Sequence, residues 1–239
     1  MSNVVVSKNN VKRLLKDVAE VLKNPLNSNG IYYVHDEMNM YRGYAMIIGP
    51  EDTPYEGGYY FFKFDFSNDY PFKPPKVTYC TNDGSTRFNP NLYKSGKVCV
   101  SILNTWKGEQ WTSCQNIRSI LLTLVTLLNE NPLTNEPGFP AGHRSCAPYK
   151  RMIEYKNLEN AILRFAFKNN TIPSEFIGFS PILMKHFNEN KTKINERLKK
   201  LAASEYNNKE EYVNVYNMRV LYNYSGLIDK LNNKKNKLK

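Results

Sequence analysis

The chain has 239 residues, 41% of them hydrophobic and 13% aromatic, a globular composition with material for one large core. No apolar run approaches the ~20 residues of a membrane-spanning helix. The start, Met1-Ser-Asn-Val-Val-Val-Ser-Lys8, lacks a basic stretch followed by a long apolar core, so no secretory leader is expected. The formal net charge of +11 invites a nucleic-acid reading, but Lys and Arg are spread along the chain with no basic-aromatic platform, so neither nucleic acid nor membrane is an expected partner.

The first element is a helix from about Ser7 to Lys23, because Val11, Leu14, Leu15, Val18, Ala19 and Leu22 recur at helical spacing. Lys8, Lys12, Arg13 and Lys16 fall largely on its outer face, and Asn24-Pro25 stops it. Three strand-like runs follow, Ile31 to Asp36, Arg42 to Ile48 and Tyr59 to Phe66, each rich in aromatic or branched residues and closed by turn chemistry. A fourth, Lys76 to Cys80, comes after Tyr70-Pro-Phe-Lys-Pro-Pro75. These prolines confine their segment to a loop, and the aromatic–proline step raises the odds of a cis Tyr70–Pro71 bond. Consecutive strands with short links read as an antiparallel meander.

Next comes Arg87-Phe-Asn-Pro-Asn91-Leu-Tyr-Lys-Ser-Gly-Lys-Val-Cys99-Val-Ser-Ile-Leu103, irregular backbone expected to lie across the sheet with Val98, Val100, Ile102 and Leu103 turned to a core. It sets one cysteine eight residues after Asn91, with the turn formers Ser95-Gly96 between them. A cysteine on such a loop can carry an acyl group as a thioester, and a nearby amide can steady charge on the carbonyl oxygen. The same residues also suit a buried cysteine in an irregular hairpin. The other cysteines, Cys80, Cys114 and Cys146, are scattered without a Cys-x-x-Cys pair. No zinc site is expected, and free thiols point to a reducing, intracellular compartment, cytoplasmic or nuclear.

Trp106 to Trp111 reads as a loop, with Thr112 or Ser113 capping a helix that runs to about Asn129. Its apolar stripe, Ile117, Ile120, Leu121, Leu124, Leu127 and Leu128, is too wide for a surface helix and marks a central one. Glu130 to His143 is a loop, and a helix from about Tyr149 to Phe167 closes the first unit. A boundary is expected at Asn169-Asn-Thr-Ile-Pro173. Beyond it Ser180-Pro181 reads as cap and first turn of a helix carrying Leu183, Phe187, Ile194, Leu198 and Leu201. Val213 to Leu231 supplies a final helix or packs back on the main unit, and the lysine-rich tail from Asn232 is expected to be disordered. Three segments result: 1–168, 169–231 and 232–239.

Four motifs stand in fixed order: Gly49-Pro50-x-x-Thr53-Pro54-Tyr55-x-Gly57-Gly58, Tyr70-Pro71-Phe72-x-Pro74-Pro75-Lys76-Val77, Asn89-Pro90-Asn91 with Cys99 eight residues on, and Trp111 before a long apolar helix. In these the chain resembles the ubiquitin-conjugating enzymes, the E2 family, over about Ser7 to Phe167. The strings Arg87 to Asn91, Gly96 to Leu103 and Glu130 to Phe139 are most similar to the long Z-type E2s, which also carry a C-terminal helical extension. The resemblance implies an α+β architecture, the UBC fold: an N-terminal helix, a four-stranded antiparallel meander, central and C-terminal helices, and here a helical extension.

It also implies that Cys99 takes ubiquitin, or a ubiquitin-like protein, as a thioester from an E1 enzyme and gives it to a substrate lysine or an E3 cysteine. No metal or small cofactor is implied. Thioester exchange proceeds with the few per cent of thiolate that an ordinary thiol supplies, without a His base. His35, His143 and His186 lie in no protease signature. By the same resemblance Asn91 stabilises the oxyanion or holds the loop. Asn135 and Glu136 lie where the family often places an acid that helps activate the attacking amine, and Ser101 stands where many members have Asp. Pro71, Phe72 and Trp111 match the surface that docks RING or HECT-type E3 ligases, and Lys12 and Arg13 the E1-facing side. The family's usual His-Pro-Asn is here Asn89-Pro90-Asn91, and the usual Ser-Pro-Ala after the tryptophan is Thr112-Ser113-Cys114. The rival reading is an E2-like scaffold without activity. The catalytic reading requires an exposed Cys99 sulfur with the Asn91 amide beside it.

Overall fold

The computed structural model describes residues 8–167 and 171–232. Ser7, residues 168–170 (the first two residues of the expected boundary among them) and the tail from 233 lie outside the described residues. Helix α1 (Lys8–Lys23) is rotated from the face expected: Leu14 and Val18 are buried as expected and Asp17 and Val21 join them, while Leu15 and Leu22 are about half exposed. Asp17 sets this rotation. A buried carboxylate needs partners, and Asp17 accepts from Arg13 Nε at 2.9 Å and from Tyr70 Oη at 2.5 Å.

Strands β1 (Ile31–His35), β2 (Arg42–Ile48), β3 (Tyr59–Asp65) and β4 (Lys76–Tyr79) pair antiparallel in chain order, each ending within a residue of its expected limit. The Tyr70–Pro71 bond before β4 is cis. Alternation along the strands puts Ala45, Ile47, Tyr60 and Phe62 on one face and Tyr44, Met46, Tyr59 and Phe61 on the other. A meander can leave one face to water, but here both are dry: Met46, Tyr59 and Phe61 are 0% exposed. The cover on the second face comes from the C-terminal part of the chain. The rings of Phe165, Phe176 and Phe179 lie 5.1, 4.9 and 6.4 Å from that of Phe61. Tyr59 Oη sits 3.2 Å from Leu183 O and 3.1 Å from His186 Nδ1. Burial of side chains this large is worth ~1.5–3 kcal/mol each, so these segments share one core.

The central helix α2 (Ile117–Thr126) buries all six residues of its predicted stripe, Leu127 and Leu128 lying just past its end. Its cap is Asn116, not Thr112 or Ser113: Asn116 Oδ1 accepts from Ser119 N at 3.0 Å in a capping box. It also stops short of Asn129. Helix α3 (Cys146–Lys156) starts before Tyr149 and continues through a π-helical stretch (Asn157–Leu163) into α4 (Arg164–Phe167). The π stretch begins at buried Asn157, whose Nδ2 donates to Glu56 O at 2.9 Å and whose Oδ1 accepts from Tyr60 Oη at 2.6 Å.

Helix α5 (Ser180–Ala202) takes Phe179 as its cap and Ser180 as its first helical residue, so Ser180 does no capping. Leu183, Phe187, Ile194 and Leu198 are buried, and Leu201 is half-buried. Beyond it the chain makes a hairpin, β5 (Glu210–Val213) and β6 (Met218–Leu221), before α6 (Tyr224–Asn232). Asn232 thus ends a helix and does not begin a tail. Strands of four residues are too short for periodicity to reveal. The hairpin is tied to α3 by Arg151 Nη2 and Glu211 Oε1 at 2.5 Å, and the Arg151 guanidinium lies 3.8 Å from the Tyr206 ring centroid. No helix among the described residues is long and apolar enough to cross a membrane.

Candidate active site

The loop from Arg87 to Leu103 folds down on the edge strand β4. Tyr79 N donates to Gly96 O at 2.8 Å, which brings the turn so close that a Cβ on Gly96 would lie 3.0 Å from Tyr79 O. With φ +86 as well, position 96 suits glycine alone. Buried Asn89 braces the other end. Its Nδ2 donates to Leu127 O at 2.7 Å and to Tyr55 Oη at 2.9 Å, and its Oδ1 accepts from Asn91 N at 2.9 Å. This position, where the family usually has His, therefore anchors the loop to the end of α2.

Asn91 and Cys99 clamp each other. Cys99 N donates to Asn91 O at 2.9 Å, and Asn91 Nδ2 donates to Cys99 O at 2.6 Å. The Asn91 amide is thus at the cysteine, on its own carbonyl. Cys99 itself departs from expectation: it is 3% exposed, and its thiol donates to Thr105 O at 2.8 Å. The carbonyl belongs to a stretch, residues 104–110, exposed throughout, in which Asn104 and Gly108 have positive φ. Thr105 Oγ1 accepts from Val100 N at 2.9 Å, so one residue lies over both sulfur and backbone. Sequence spacing cannot report where a carbonyl six residues away comes to rest.

A family model described as "Ubiquitin-conjugating enzyme" matches residues 13–156, more than half of the chain. The chain belongs to the ubiquitin-conjugating enzyme family. Ubiquitin-conjugating enzyme E2 Z of Xenopus tropicalis is 41% identical over 155 residues, covering 64% of this chain and 49% of that protein. The Homo sapiens E2 Z is 46% identical over 128 residues, covering 53% of this chain and 36% of that one. The chain therefore spans half or less of the length of these curated relatives. The structure of human ubiquitin-conjugating enzyme E2 G1 aligns with a TM-score of 0.45 at 32% identity, over 53% of this chain and 98% of its own.

Within this E2 the other expected site residues are dispersed. Phe72 is 72% exposed, whereas Pro71 is buried and Trp111 is only 7% exposed. Trp111 Nε1 donates to Pro71 O at 2.6 Å, so its ring fastens the Phe72 loop from inside and offers no docking surface. Trp106, 40% exposed, is the outward-facing indole of that region. Lys12 is exposed, but the Arg13 guanidinium is committed to Asp17, Ser113 O at 2.7 Å and Gln115 O at 2.8 Å, tying α1 to the stretch before α2. Burial pushes the Cys80 thiol up to about 11, which removes it as a competing nucleophile. Cys114 is exposed and Cys146 half-buried, and all four cysteines are free. No group of three His, Cys, Asp or Glu among the described residues is placed to hold a metal.

Glu136 lies in the loop after the central helix and accepts from Tyr216 Oη, across 80 residues of chain. Sequence reasoning found neither this contact nor the setting of Arg87. The Arg87 guanidinium lies between the Tyr93 ring (3.4 Å) and the Tyr216 ring (4.5 Å), and its Nη2 donates to Pro90 O at 2.6 Å. Arg87 stood inside a Z-type string, a signal that it mattered. Nothing local marked Tyr216.

Proposed function

We propose that this chain carries ubiquitin, or a ubiquitin-like protein, as a thioester on Cys99 and passes it to a substrate lysine or an E3 cysteine. The observation that carries the reading is the two-way clamp between Asn91 and Cys99, set in a loop that falls inside the matched family segment. Loading exchanges one thioester for another. The Cys99 sulfur forms a bond to the modifier's terminal carbonyl carbon, the bond to the E1 sulfur breaks, and the E1 thiolate leaves. For this the Thr105 carbonyl must give up the thiol, a local move within an exposed loop. Residues 1–168 serve as the catalytic core and 169–231 as an extension. The E1 binds on the Lys12 side of α1, and an E3 of the RING or HECT type docks at Phe72.

One observation favours a second reading, an inactive scaffold: the burial of Cys99. Incubation with E1, ATP and ubiquitin, then with a panel of E1–modifier pairs, separates the two. A thiol-sensitive adduct absent from Cys99→Ala, and a thiol-resistant ester on Cys99→Ser, support the carrier. Absence of any adduct across the panel supports the scaffold.

A further inference from the structure

Glu136 is fixed from both sides. Its neighbour Asn135 donates to Leu127 O at 3.2 Å and accepts from Asn129 Nδ2 at 2.9 Å, which ties this loop to the same carbonyl that Asn89 uses. Pro137, next along, faces Asn104, Thr105, Trp106, Lys107 and Gln110 across a cleft of about 640 Å³, and Thr105 is the residue whose carbonyl holds the Cys99 thiol. The carboxylate of Glu136 takes the Tyr216 hydroxyl on Oε2, while Oε1 accepts no hydrogen bond from any described residue.

Tyr216 is itself held at two further points, the Tyr149 ring and the Arg87 guanidinium. Its ring stands 6.0 Å from that of Tyr149 at 66° and 4.5 Å from the Arg87 guanidinium, and Tyr149 Oη donates to Arg87 O at 2.7 Å. Two residues along, Met218 Sδ meets Arg87 N at 3.2 Å. The turn carrying it is left-handed, Tyr216 at φ 63 and Asn217 at φ 49, a conformation that a bulky side chain such as tyrosine rarely adopts. Such a conformation persists where surrounding contacts over-determine it. Burial first, and the Glu136 carboxylate second, push the Tyr216 hydroxyl well up, so it stays a donor.

We propose that Tyr216, from the C-terminal hairpin, is a positioning residue for transfer to lysine, holding the Glu136 carboxylate, one residue before the Pro137 that lines the cleft with Thr105, with one oxygen pinned and the other free to take a proton. The inference rests on the reading of Cys99 as thioester carrier and Glu136 as proton acceptor. In the step, the lysine Nζ lone pair forms a bond to the thioester carbonyl carbon and the carbon–sulfur bond breaks. The sulfur leaves as thiolate, and the proton shed by the nitrogen passes to Glu136 Oε1 and from there to the thiolate. Amide and thiol are the products.

The test loads the full chain with ubiquitin by E1, quenches the E1, and follows single-turnover discharge to free lysine and, separately, to hydroxylamine. Hydroxylamine is a weakly basic amine, already neutral near neutral pH, that needs less help in shedding a proton. Wild type, Tyr216→Phe, Glu136→Gln and the double variant are compared; the phenylalanine retains the ring contacts with Arg87 and Tyr149. Tyr216→Phe is expected to lower the saturating rate constant with lysine about tenfold, a share of the ~10²–10⁴ that a positioned proton acceptor supplies. The apparent KM for lysine and the hydroxylamine rate should hold, and the double variant should be no slower than Glu136→Gln. A slow Glu136→Gln with a wild-type Tyr216→Phe overturns the role of Tyr216 alone. A wild-type Glu136→Gln removes the proton-acceptor reading and this inference with it. Equal losses with both amines mean that Tyr216→Phe merely loosens the site, and also overturn the proposal. Failure of wild type to load at all removes the carrier reading on which everything here depends.

Discussion

Asn89 offers the sharpest measure of how the site loop is held. It is fully buried, and three good hydrogen bonds use its amide: to Leu127 O at 2.7 Å, to Tyr55 Oη at 2.9 Å, and from Asn91 N at 2.9 Å. A weak fourth comes from Asn135 at 3.5 Å. In Asn89→Ala, Leu127 O keeps Asn135 at 3.2 Å and Tyr55 Oη keeps Phe88 O at 2.7 Å, so the Asn91 N–H is the group left stranded. Three bonds at ~1 kcal/mol net, plus a further ~1 kcal/mol for the stranded N–H, give a loss of about 3–4 kcal/mol. At ~2–4 °C per kcal/mol for a chain of this size, the fall in Tm is about 6–16 °C. Urea denaturation followed by the fluorescence of Trp106 and Trp111 should show a lower midpoint at unchanged slope. Asn89→His keeps one donor and one acceptor, and should cost about 1–2 kcal/mol. A loss below ~1 kcal/mol for the alanine variant, or equal losses for the two, would refute the bracing role.

Asn91→Ala removes the bond to Cys99 O and should lower stability by about 1 kcal/mol by urea denaturation. A fall in discharge rate of ~10²–10³ with no such loss would show that the amide serves the oxyanion instead. Phe176, 0% exposed and packed on Tyr44 and Phe61, should cost about 3–5 kcal/mol when replaced by alanine; a change under ~1 kcal/mol would mean that the extension is a loose appendage. His35 and His186 are both held below the usual imidazole range, burial being the first cause in each. The unfolded chain then binds protons that the folded one resists, so stability is full above the unfolded value and declines as pH falls through it toward the folded values. Urea midpoints should drop from about pH 7 to about pH 5, less so in the double variant His35→Asn/His186→Asn. A midpoint that rises on acidification would reverse the sign.

Whatever depends on neighbours in the chain was legible in the residues alone. Aromatic and branched runs closed by turn chemistry placed the four strands to within a residue, the apolar stripe marked α2 as central, and Asn89-Pro90-Asn91 with Cys99 eight residues on marked the site. Periodicity also shows that a face is apolar, but not what covers it. Phe176, Phe179 and Leu183 on the second sheet face therefore emerged only in three dimensions, as did the inward turn of Asp17 on α1. The Cys99 sulfur is buried because a carbonyl in a separate loop lies over it, and Trp111 is buried because Pro71 O accepts its indole N–H. The contact of Tyr216 with Glu136 spans 80 residues and rests on a four-residue hairpin strand and two left-handed turn residues. No local pattern encodes such a pairing. It is decided when the extension folds back and leaves the hydroxyl one carboxylate to meet.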